Sequence, residues 1–492
     1  MAKRAKVQHS SDLQPGAGLL QDNTDVTLNA AKQLAMQFSD ASITAIHRVL
    51  TKIACCSPSQ GLRHGSFCTG SGIDNLVVSR LLEVVQRLSP LPTLLEEVVF
   101  ACEQDEAKAK WLRSIGTGKV FKNVEEMGDD MAYEWNAGKY LEVPDVDLLT
   151  LGFSCKDFSL LNANCVEMTA YALRMLQACV ESDTLETDES LRGSTLPTLL
   201  GSLRYVKRRR PAMVFMENAE KAILVCPLLT QIFASFGYLF TWTNNVALVD
   251  LRVPCARARV YMFALRRSCF AGFTMEALKD QFESTLERTK RKLRCLPIQD
   301  LRDYALADSQ YVKNLATGHR TQRERSLHQD AEWFLKHNDA FRLASLATPT
   351  ALVLQQFESA LPEQWLRDLF AEMSLREQEV IYYFHLTKPA GGGYCIDASQ
   401  SIDRISVSQH LPCFHTNSKI WVDVLHRELV GREKLALQGM STFDFAQHAP
   451  SDRLLADLAG NAYHSPCILM VFMSMFESIS AVSSVSRVLA CL

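Results

Sequence analysis

The sequence predicts an α/β fold, in which helices cover a mostly parallel, doubly wound sheet, with a smaller, largely helical domain inserted into it. Short apolar runs alternate with helical patterns up to Arg267, which is typical of βαβ units. The 492 residues exceed what one hydrophobic core usually serves. After Arg267 the pattern changes to charge runs and long helical stretches, which predict an insertion.

The spacing of apolar residues predicts the individual elements. Three- and four-residue periodicity predicts a helix within 30–56 and another from Ile73, as well as a long helical pattern within 361–385. Uninterrupted apolar runs predict strands at Val98–Cys102 and in three further stretches: DVDLLTLGF (145–153), PAMVFMEN (211–218) and RVYMFALRR (259–267).

These patterns divide the chain into four parts. They are a disordered polar tail (1–30), the first part of the sheet domain (31–267), the inserted domain (268–410) and a returning α/β rhythm that completes the sheet domain (411–492). Within them, the acidic stretch 181–194 predicts a mobile insertion, and Pro389–Gly393 predicts a flexible joint.

Composition argues against several classes of protein. The net charge of −3 gives no overall basic signature, so a nucleic-acid partner needs a local basic face. The 15 cysteines are scattered, with no CxxC pair and no secretory leader, which indicates reduced thiols in an intracellular protein rather than disulfides or a zinc site. No apolar run approaches the roughly 18 to 20 residues of a membrane span. Lys3–Lys6 is either a nuclear address or a solvated basic cluster.

Polar residues follow several predicted strands, at the sheet edge where doubly wound folds bind ligands. Gly70-Ser71-Gly72 is either a plain tight turn or a turn whose backbone approaches a ligand. Glu103 ends the next strand, where an acid is either solvated or hydrogen-bonds a ribose diol. The turn and the acid together favour a nucleoside ligand.

The later strand ends carry candidate catalytic groups. Cys155 is either a packed small hydrophobe or a nucleophile presented at the sheet edge. Glu217 is either a partly desolvated acid ready to donate a proton or one half of a structural ion pair. Arg257 and Arg259 lie two residues apart in a strand, so both side chains point to the same side of the sheet. There they either bind a phosphate or a substrate carbonyl, or they are exposed to solvent.

Seven stretches, in order, resemble the DNA (cytosine-5) methyltransferases, which use S-adenosylmethionine. FCTGSG resembles the cofactor loop, CEQD the ribose-binding acid, and GFSCKDFS the catalytic Pro-Cys-Gln loop. MENAEKA resembles the Glu-Asn-Val motif, and PCARAR the Gln-x-Arg-x-Arg motif. HRELVGREKLALQGM resembles the stretch that closes on Gln-Gly-Phe, and LAGNAYHSP the final Gly-Asn motif beside the cofactor. The resemblance spans most of the chain outside 1–60 and the insert, and it implies a Rossmann-like methyltransferase fold.

The resemblance implies methyl transfer to carbon 5 of a cytosine flipped out of double-stranded DNA, with no metal. Cys155 would add to carbon 6 as a thiolate, and Glu217 would hydrogen-bond ring nitrogen 3. Arg257 and Arg259 would steady the base and the catalytic loop. The insert corresponds to the target-recognition domain, where Arg288–Arg294 either contacts phosphates or is an exposed helix face.

The resemblance also assigns binding residues. Those for the cofactor are Phe67, Cys68, Gly70, Ser71, Gly72, Ile73, Glu103, Gln104, Asn123, Val124 and Asn461, and those for the DNA are Ser154, Ser159, Asn218 and Gln438. Either Phe67 or Cys68 fills the family's phenylalanine position against the adenine. Asn123 replaces the acid that binds the adenine amino group, and its amide oxygen still accepts a hydrogen bond.

Three positions near the catalytic groups depart from the family pattern. Ser154 replaces the proline before the nucleophile, so the rigidity of the loop must come from elsewhere. Lys156 replaces the following glutamine and adds a positive charge that favours a thiolate. Cys255 replaces the glutamine of the arginine motif.

Three functions stay open on these residues: an active DNA methyltransferase, a catalytically silent DNA-binding or scaffold relative, and a tRNA cytosine-5 methyltransferase. The joint presence of Cys155, Glu217 and the two arginines argues against the silent relative. The tRNA branch carries a Cys-Phe-Thr signature, which Cys413-Phe414-His415 resembles only in part. We expect an intracellular, nuclear protein that is a monomer or a weak oligomer.

Overall fold

The computed structural model describes residues 26–56, 61–68, 70–159, 164–185, 193–247, 251, 255, 258–295, 311–313, 315, 331–388, 393–405, 407–440 and 450–491. Its helices are α1 (Val26–Ala35), α2 (Asp40–Ala54), α3 (Ile73–Leu88), α4 (Glu106–Ser114), α5 (Cys165–Ser182), α6 (Thr195–Arg209), α7 (Cys226–Ser235), α8 (Met275–Leu293), α9 (Ala331–Leu343), α10 (Ala351–Ala360), α11 (Gln364–Glu372), α12 (Leu375–Thr387), α13 (Gly431–Leu437), α14 (Asp452–Asn461) and α15 (Ser465–Cys491). Its strands are β1 (Gly61–Phe67), β2 (Leu95–Cys102), β3 (Lys119–Phe121), β4 (Met131–Glu134), β5 (Lys139–Glu142), β6 (Leu148–Leu151), β7 (Met213–Ala219), β8 (Tyr238–Ala247), β9 (Ala258–Arg266), β10 (Cys395–Asp397), β11 (Ile420–Val422) and β12 (Arg427–Glu428).

The larger sheet has the strand order β5-β4-β3-β2-β1-β6-β7-β9-β8. Strands β3, β2, β1, β6 and β7 pair in parallel, and antiparallel strands extend both sides. Every residue of β6 is buried, as expected for a central strand that is covered on both faces. Helices α1, α2, α3, α8 and α15 build the core on one face, and α5, α6 and α7 build it on the other. The predicted α/β class with a mostly parallel sheet is confirmed.

The ordered chain begins before the predicted boundary. Helix α1 starts at Val26, and the buried Thr27 hydroxyl lies 2.5 Å from the carbonyl oxygen of Gly439 and 2.9 Å from Ser465 Oγ. Gly439 has a φ of +101°, and a Cβ there would collide with Ser465 Oγ, so this close approach requires glycine. The prediction of a disordered tail is therefore wrong for 26–30, and residues 1–25 lie outside the described part.

The two cores divide the chain differently from the predicted insert at 268–410. Helix α8 packs in the same core as α2 and α15, so the sheet domain extends to Leu293. The smaller core contains residues of α11, α12 and the antiparallel sheet β10-β11-β12. In β11, Trp421 belongs to the smaller core, whereas Ile420 and Val422 belong to the larger one. Strand β11 thus contacts both cores, and Leu411 and Phe414, directly after the predicted boundary at residue 410, already belong to the larger one.

The basic run Arg288–Arg294 lies on and just beyond α8, against the sheet domain. Lys290 is 1% exposed and its ammonium lies 2.8 Å from a Glu287 carboxylate oxygen. Arg288 pairs with Glu477 of α15 at 2.5 Å. Lys290 is thus buried in an ion pair within α8, and Arg288 is paired with α15, so in this structure both cations already have carboxylate partners.

After Leu411 the chain packs mainly in the larger core, chiefly through helices α13, α14 and α15. In the described part of that region, β11 and β12 join the small sheet and the remaining elements are helices. One stretch, Asp452–Ser483, is long and apolar enough by length and composition to cross a membrane, contrary to the expectation from the sequence. Of its apolar window, 78% is buried inside the protein, and a helix that is apolar all round is typical of such a core position.

Three other predicted segments differ from the structure or lie partly outside it. The helical pattern in 361–385 forms two helices, because the Ser374 and Glu377 side chains make a capping box that starts α12. Residues 186–192 of the predicted mobile insertion and residues 389–392 of the predicted joint lie outside the described residues.

Candidate active site

The candidate site lies at the carboxyl ends of the parallel strands, next to β1. The chain passes from β1 to β2 and β3 on one side, and to β6 and β7 on the other, so the strand order reverses at β1. Ligands of doubly wound sheets bind at such a switch point. The segments that follow β1, β2 and β6, together with the end of β7, carry most of the residues predicted from the sequence.

The glycine turn after β1 and the acid after β2 are joined by a direct hydrogen bond. The backbone N–H of Gly70 donates to Glu103 Oε2 at 3.1 Å, and that of Asp105 donates to Oε1 at 3.0 Å. Burial raises the pKa of Glu103. A Cβ placed on Gly70 would lie 3.5 Å from Asn461 Cβ, so the Gly-Asn stretch does fold back beside this turn. Gly70, Glu103 and Asn461 therefore form one cluster, as the sequence predicts.

The alternatives at Phe67 and Cys68 are resolved by burial. The Phe67 ring is fully buried and packs edge-on against Tyr205 and tilted against Phe100, so it cannot lie against an adenine. Cys68 follows the strand with a φ of +53°. Burial, followed by the charge of Glu103, raises the pKa of its thiol to about 12. Cys68 is thus the better candidate to face an adenine, and the assignment of Phe67 to the cofactor is wrong.

Other predicted cofactor residues have different roles. The side chains of Ile73 and Val124 are buried in the two cores and support the site from below. Asn123 Oδ1 accepts the Glu125 N–H at 3.0 Å, which forms a local turn and leaves one acceptor position for an adenine. Gln104 is exposed beside Glu103. In the glycine turn itself, the Trp111 indole donates a hydrogen bond to the Ser71 carbonyl oxygen at 2.9 Å. Gly72 has a φ of +78°, which favours glycine at this position.

A buried hydroxyl that the sequence analysis did not single out lies beside Gly152, directly after β6. Tyr463 is 3% exposed, and a Cβ on Gly152 would lie 2.6 Å from its oxygen, so Gly152 must be glycine here. Its hydroxyl makes no hydrogen bond to any described residue. Buried hydroxyls normally have a partner. With the Glu103 carboxylate and the glycine turn, this unused polar group fits the polar parts of an S-adenosylmethionine molecule.

The segment after β6 presents Cys155 to solvent. Cys155 is exposed, whereas Phe153 and Phe158 on either side of it are buried and pack edge-on against each other. Asn218 Nδ2 donates to the Phe153 carbonyl oxygen at 2.7 Å and so ties the loop to β7. Asn218 is 1% exposed, which contradicts its assignment to DNA and makes it a support for the loop. The nucleophile alternative for Cys155 thus agrees with its exposure.

The N-terminus of α6 holds this loop in place. The Ser154 N–H donates to Thr198 Oγ1 at 3.0 Å, and Thr195 Oγ1 donates to the Ser154 carbonyl oxygen at 2.7 Å. The Asp157 carboxylate accepts the N–H groups of Ser194 and Thr195 at 3.1 and 2.9 Å, at the positive end of the helix dipole. A proline at 154 has no N–H for Thr198. The rigidity that the family obtains from proline is therefore supplied here by hydrogen bonds.

We expect the variant Thr198→Val to lower kcat about tenfold with little change in KM for the cofactor. The change leaves the Ser154 N–H without its partner, a loss of about 1–3 kcal/mol in local stability. Thr230→Val is the matched control, since Thr198 and Thr230 each donate to the carbonyl oxygen four residues earlier, but Thr230 lies on α7. Equal kcat in both variants would exclude a positioning role for Thr198. Hydrogen exchange of residues 152–159 provides the second readout.

Glu217 and Arg259 meet at the same edge. Arg259 Nε lies 3.0 Å from Glu217 Oε1, and both side chains are largely buried, so Glu217 takes part in an ion pair at this edge. Arg259 Nη2 also lies 3.4 Å from the Cys413 sulfur, a contact that sequence reasoning missed. Although burial opposes its charge, the neighbouring groups Cys413, Glu217 and Cys155 raise the pKa of Arg259. A fixed positive charge therefore stands between two thiols and a carboxylate.

The remaining predicted residues are placed as follows. Arg257 lies outside the described residues, and Ser159 ends the described part of the catalytic loop. Cys255 is buried in an isolated bridge with Leu411. Gln438 is fully buried, and its side chain makes no hydrogen bond to any described residue, so its assignment to DNA contact is wrong in this structure.

Comparison with known proteins gives one sequence relative and several structural neighbours. No protein-family model matches the chain. The DNA (cytosine-5-)-methyltransferase DMT5 of Cryptococcus neoformans var. grubii serotype A is 25% identical over 418 residues, which cover 82% of this chain and 16% of that protein. The chain therefore spans only a small part of the length of this relative.

Two of the solved structures that match the chain are methyltransferases. The S. pombe Dnmt2 methyltransferase is 12% identical with a TM-score of 0.44, and the match covers 85% of this chain and 98% of that one. The Entamoeba histolytica methyltransferase EhMeth is also 12% identical, with a TM-score of 0.43 and the same coverage.

The sequence relative and the order of the motifs both relate the chain to the DNA (cytosine-5) methyltransferases. The alignment with the curated methyltransferase extends over most of the chain. The seven resemblances occur in the family order, and the fold brings the cofactor-loop, ribose-acid, catalytic-loop and Glu-Asn stretches to one sheet edge. In sequence and in the order of its motifs, the chain is similar to the DNA (cytosine-5) methyltransferases.

Proposed function

We propose that the protein transfers a methyl group from S-adenosylmethionine to carbon 5 of cytosine in DNA. The observation that carries this proposal is the meeting of an exposed Cys155 loop with the buried Glu217–Arg259 pair at the edge that holds the Gly70–Glu103 turn. A nucleophile, an acid, a fixed cation and a nucleoside-binding turn are the groups that this reaction requires. A silent relative has no need to preserve all four together.

The chemistry assigned to the chain has three steps. The Cys155 thiolate adds to carbon 6 of a flipped-out cytosine, which makes carbon 5 electron-rich. Glu217, when protonated, donates a hydrogen bond to ring nitrogen 3, and Arg259 holds its carboxyl group in position. Bound S-adenosylmethionine supplies a methyl group activated by its sulfonium charge. Loss of the carbon-5 proton and release of Cys155 then restore the aromatic ring.

A second candidate substrate is tRNA. The tRNA branch of the family carries a Cys-Phe-Thr signature, and this sequence contains Cys413-Phe414. The Cys413 sulfur lies 3.4 Å from Arg259 Nη2. The sequence relative is named as a DNA methyltransferase, which favours DNA as the first candidate. The two substrates share the chemistry above and differ in the surface that binds the polymer.

The test is methyl transfer from labelled S-adenosylmethionine to duplex DNA and, in parallel, to tRNA. We expect label in DNA cytosine, and label in tRNA alone would replace DNA with RNA as the substrate. DNA that contains 5-fluorocytosine is expected to form a covalent complex, because fluorine cannot leave as the proton does. Label on neither polymer, with no such complex on fluorinated DNA or RNA, would support the silent relative.

A further inference from the structure

A pair of cysteines lies far from the candidate active site. Cys56 follows α2, and Cys269 lies in the turn after β9. Strand β9 runs from Arg259, at the site, to Arg266, so this turn is about 23 Å away along the strand. None of the seven resemblances includes either cysteine, and the proposed methyl transfer does not use them.

The two sulfur atoms and Arg266 form one cluster. The Cys56 thiol donates to the Lys52 carbonyl oxygen at 3.2 Å, and its sulfur also lies in hydrogen-bonding contact with the Cys269 sulfur. Arg266 Nε and Nη2 lie 3.1 and 2.9 Å from the same sulfur, and Nη1 donates to the Arg210 carbonyl oxygen at 2.5 Å, which fixes the guanidinium. The Cys269 sulfur thus accepts hydrogen bonds from two nitrogens of one guanidinium and lies beside a second thiol.

This arrangement favours a thiolate at Cys269 beside a thiol at Cys56. The hydrogen bond from Cys56, followed by those from Arg266, lowers the pKa of Cys269 to about 6, and the same contact raises that of Cys56. Cys226, which has no such cation, is different, because burial raises its pKa to about 12. Cys269 is 9% exposed and Cys56 is partly exposed, so a small oxidant can reach the pair.

We propose that Cys56 and Cys269 are a dithiol that hydrogen peroxide converts reversibly into a disulfide. The Cys269 thiolate attacks a peroxide oxygen, the O–O bond breaks, and hydroxide leaves and takes up a proton to form water, which gives Cys269 sulfenic acid. The Cys56 sulfur then attacks that sulfur, the S–O bond breaks, and a second water leaves. Two thiols are oxidised and one hydrogen peroxide is reduced to two waters. A dithiol reductant reverses the reaction.

The consequence is a covalent link between α2 and the turn that leads into α8. Both elements pack in the same core as α15, so the disulfide would join two parts of the helical layer on one face of the sheet. The neighbouring Cys55 is exposed and is the competing partner for Cys269. Cys295, exposed after α8, is a reference thiol on the same chain.

The experiment treats the full chain with hydrogen peroxide at pH 7, blocks remaining thiols, and identifies peptides by mass spectrometry without reduction. We expect a Cys56–Cys269 disulfide, with Cys269 lost at least about tenfold faster than Cys295, because a stabilised thiolate is the reactive form. Cys56→Ser should leave a sulfenic acid on Cys269 that dimedone traps, whereas Cys55→Ser should retain the disulfide.

Three outcomes would overturn the proposal: Cys269 oxidised no faster than Cys295, a disulfide from Cys269 to Cys55, or a Cys56→Ser variant in which Cys269 resists both peroxide and dimedone while its circular dichroism is unchanged. The first two are read on the unaltered protein, so they do not depend on the folding of a variant. Peptide-level detection keeps oxidation of Cys155 separate from that of Cys269.

Discussion

Cys155→Ala is expected to reduce methyl transfer at least about 10³-fold while leaving cofactor affinity within about twofold. Cytosine carbon 5 becomes reactive only after a nucleophile adds to carbon 6, and alanine offers no such atom. Cys155 is exposed on a loop whose backbone is held by α6 and by Asn218, so removal of its sulfur leaves those hydrogen bonds in place. The loss should therefore appear in kcat.

The measurement is single-turnover methyl transfer on the substrate that the wild type modifies, with cofactor affinity from titration calorimetry. Cys295→Ala is the matched control, since it also removes an exposed thiol but lies after α8. The covalent complex with 5-fluorocytosine should form in Cys295→Ala and be absent in Cys155→Ala. Equal label transfer by both variants would remove Cys155 from the mechanism.

The sequence predicts the parts of the fold whose burial is local. The run Leu148–Leu151 is apolar throughout because a central parallel strand is covered on both faces, and the strand lies at those residues. The insert boundary depends instead on distant partners. The sequence predicts that the charged residues of α8 are exposed to solvent, yet Arg288 forms an ion pair with Glu477 of α15. Similarly, Thr27 hydrogen-bonds to Gly439, which lies 412 residues later in the chain. A local sequence pattern does not predict such long-range contacts.

The same distinction applies to the candidate site. Cys155, Glu217 and Arg259 are identified by their positions at strand ends and by family motifs, which are local signals. Tyr463 lies in the stretch that resembles the final Gly-Asn motif, and Cys413 lies in the partial tRNA signature, but their contacts at the site come from distant parts of the chain. The anchoring residues on α6 have one indirect signal, namely Ser154 in place of proline, which indicates that something else must hold the loop.

Glu217→Gln is expected to lower kcat about 10²-fold or more, because an amide cannot supply a proton or an equally strong hydrogen bond at ring nitrogen 3. Glutamine has nearly the same shape, so Arg259 retains an oxygen partner near the 3.0 Å position of Glu217 Oε1. The variant therefore separates the two roles of the carboxyl group. Glutamine can partly replace the carboxyl group as the partner of Arg259, but it cannot replace it as an acid.

Glu220→Gln is the control, since Glu220 is exposed in the turn directly after β7 and carries the same change. Cofactor affinity should stay constant in both variants, and the 5-fluorocytosine complex should form slowly only in Glu217→Gln. A purely structural Glu217 predicts the opposite pattern: a lower midpoint of thermal unfolding with kcat preserved well below that midpoint. Comparison of kcat and unfolding in one preparation decides between these roles, because the shared contact with Arg259 links the carboxyl group to both.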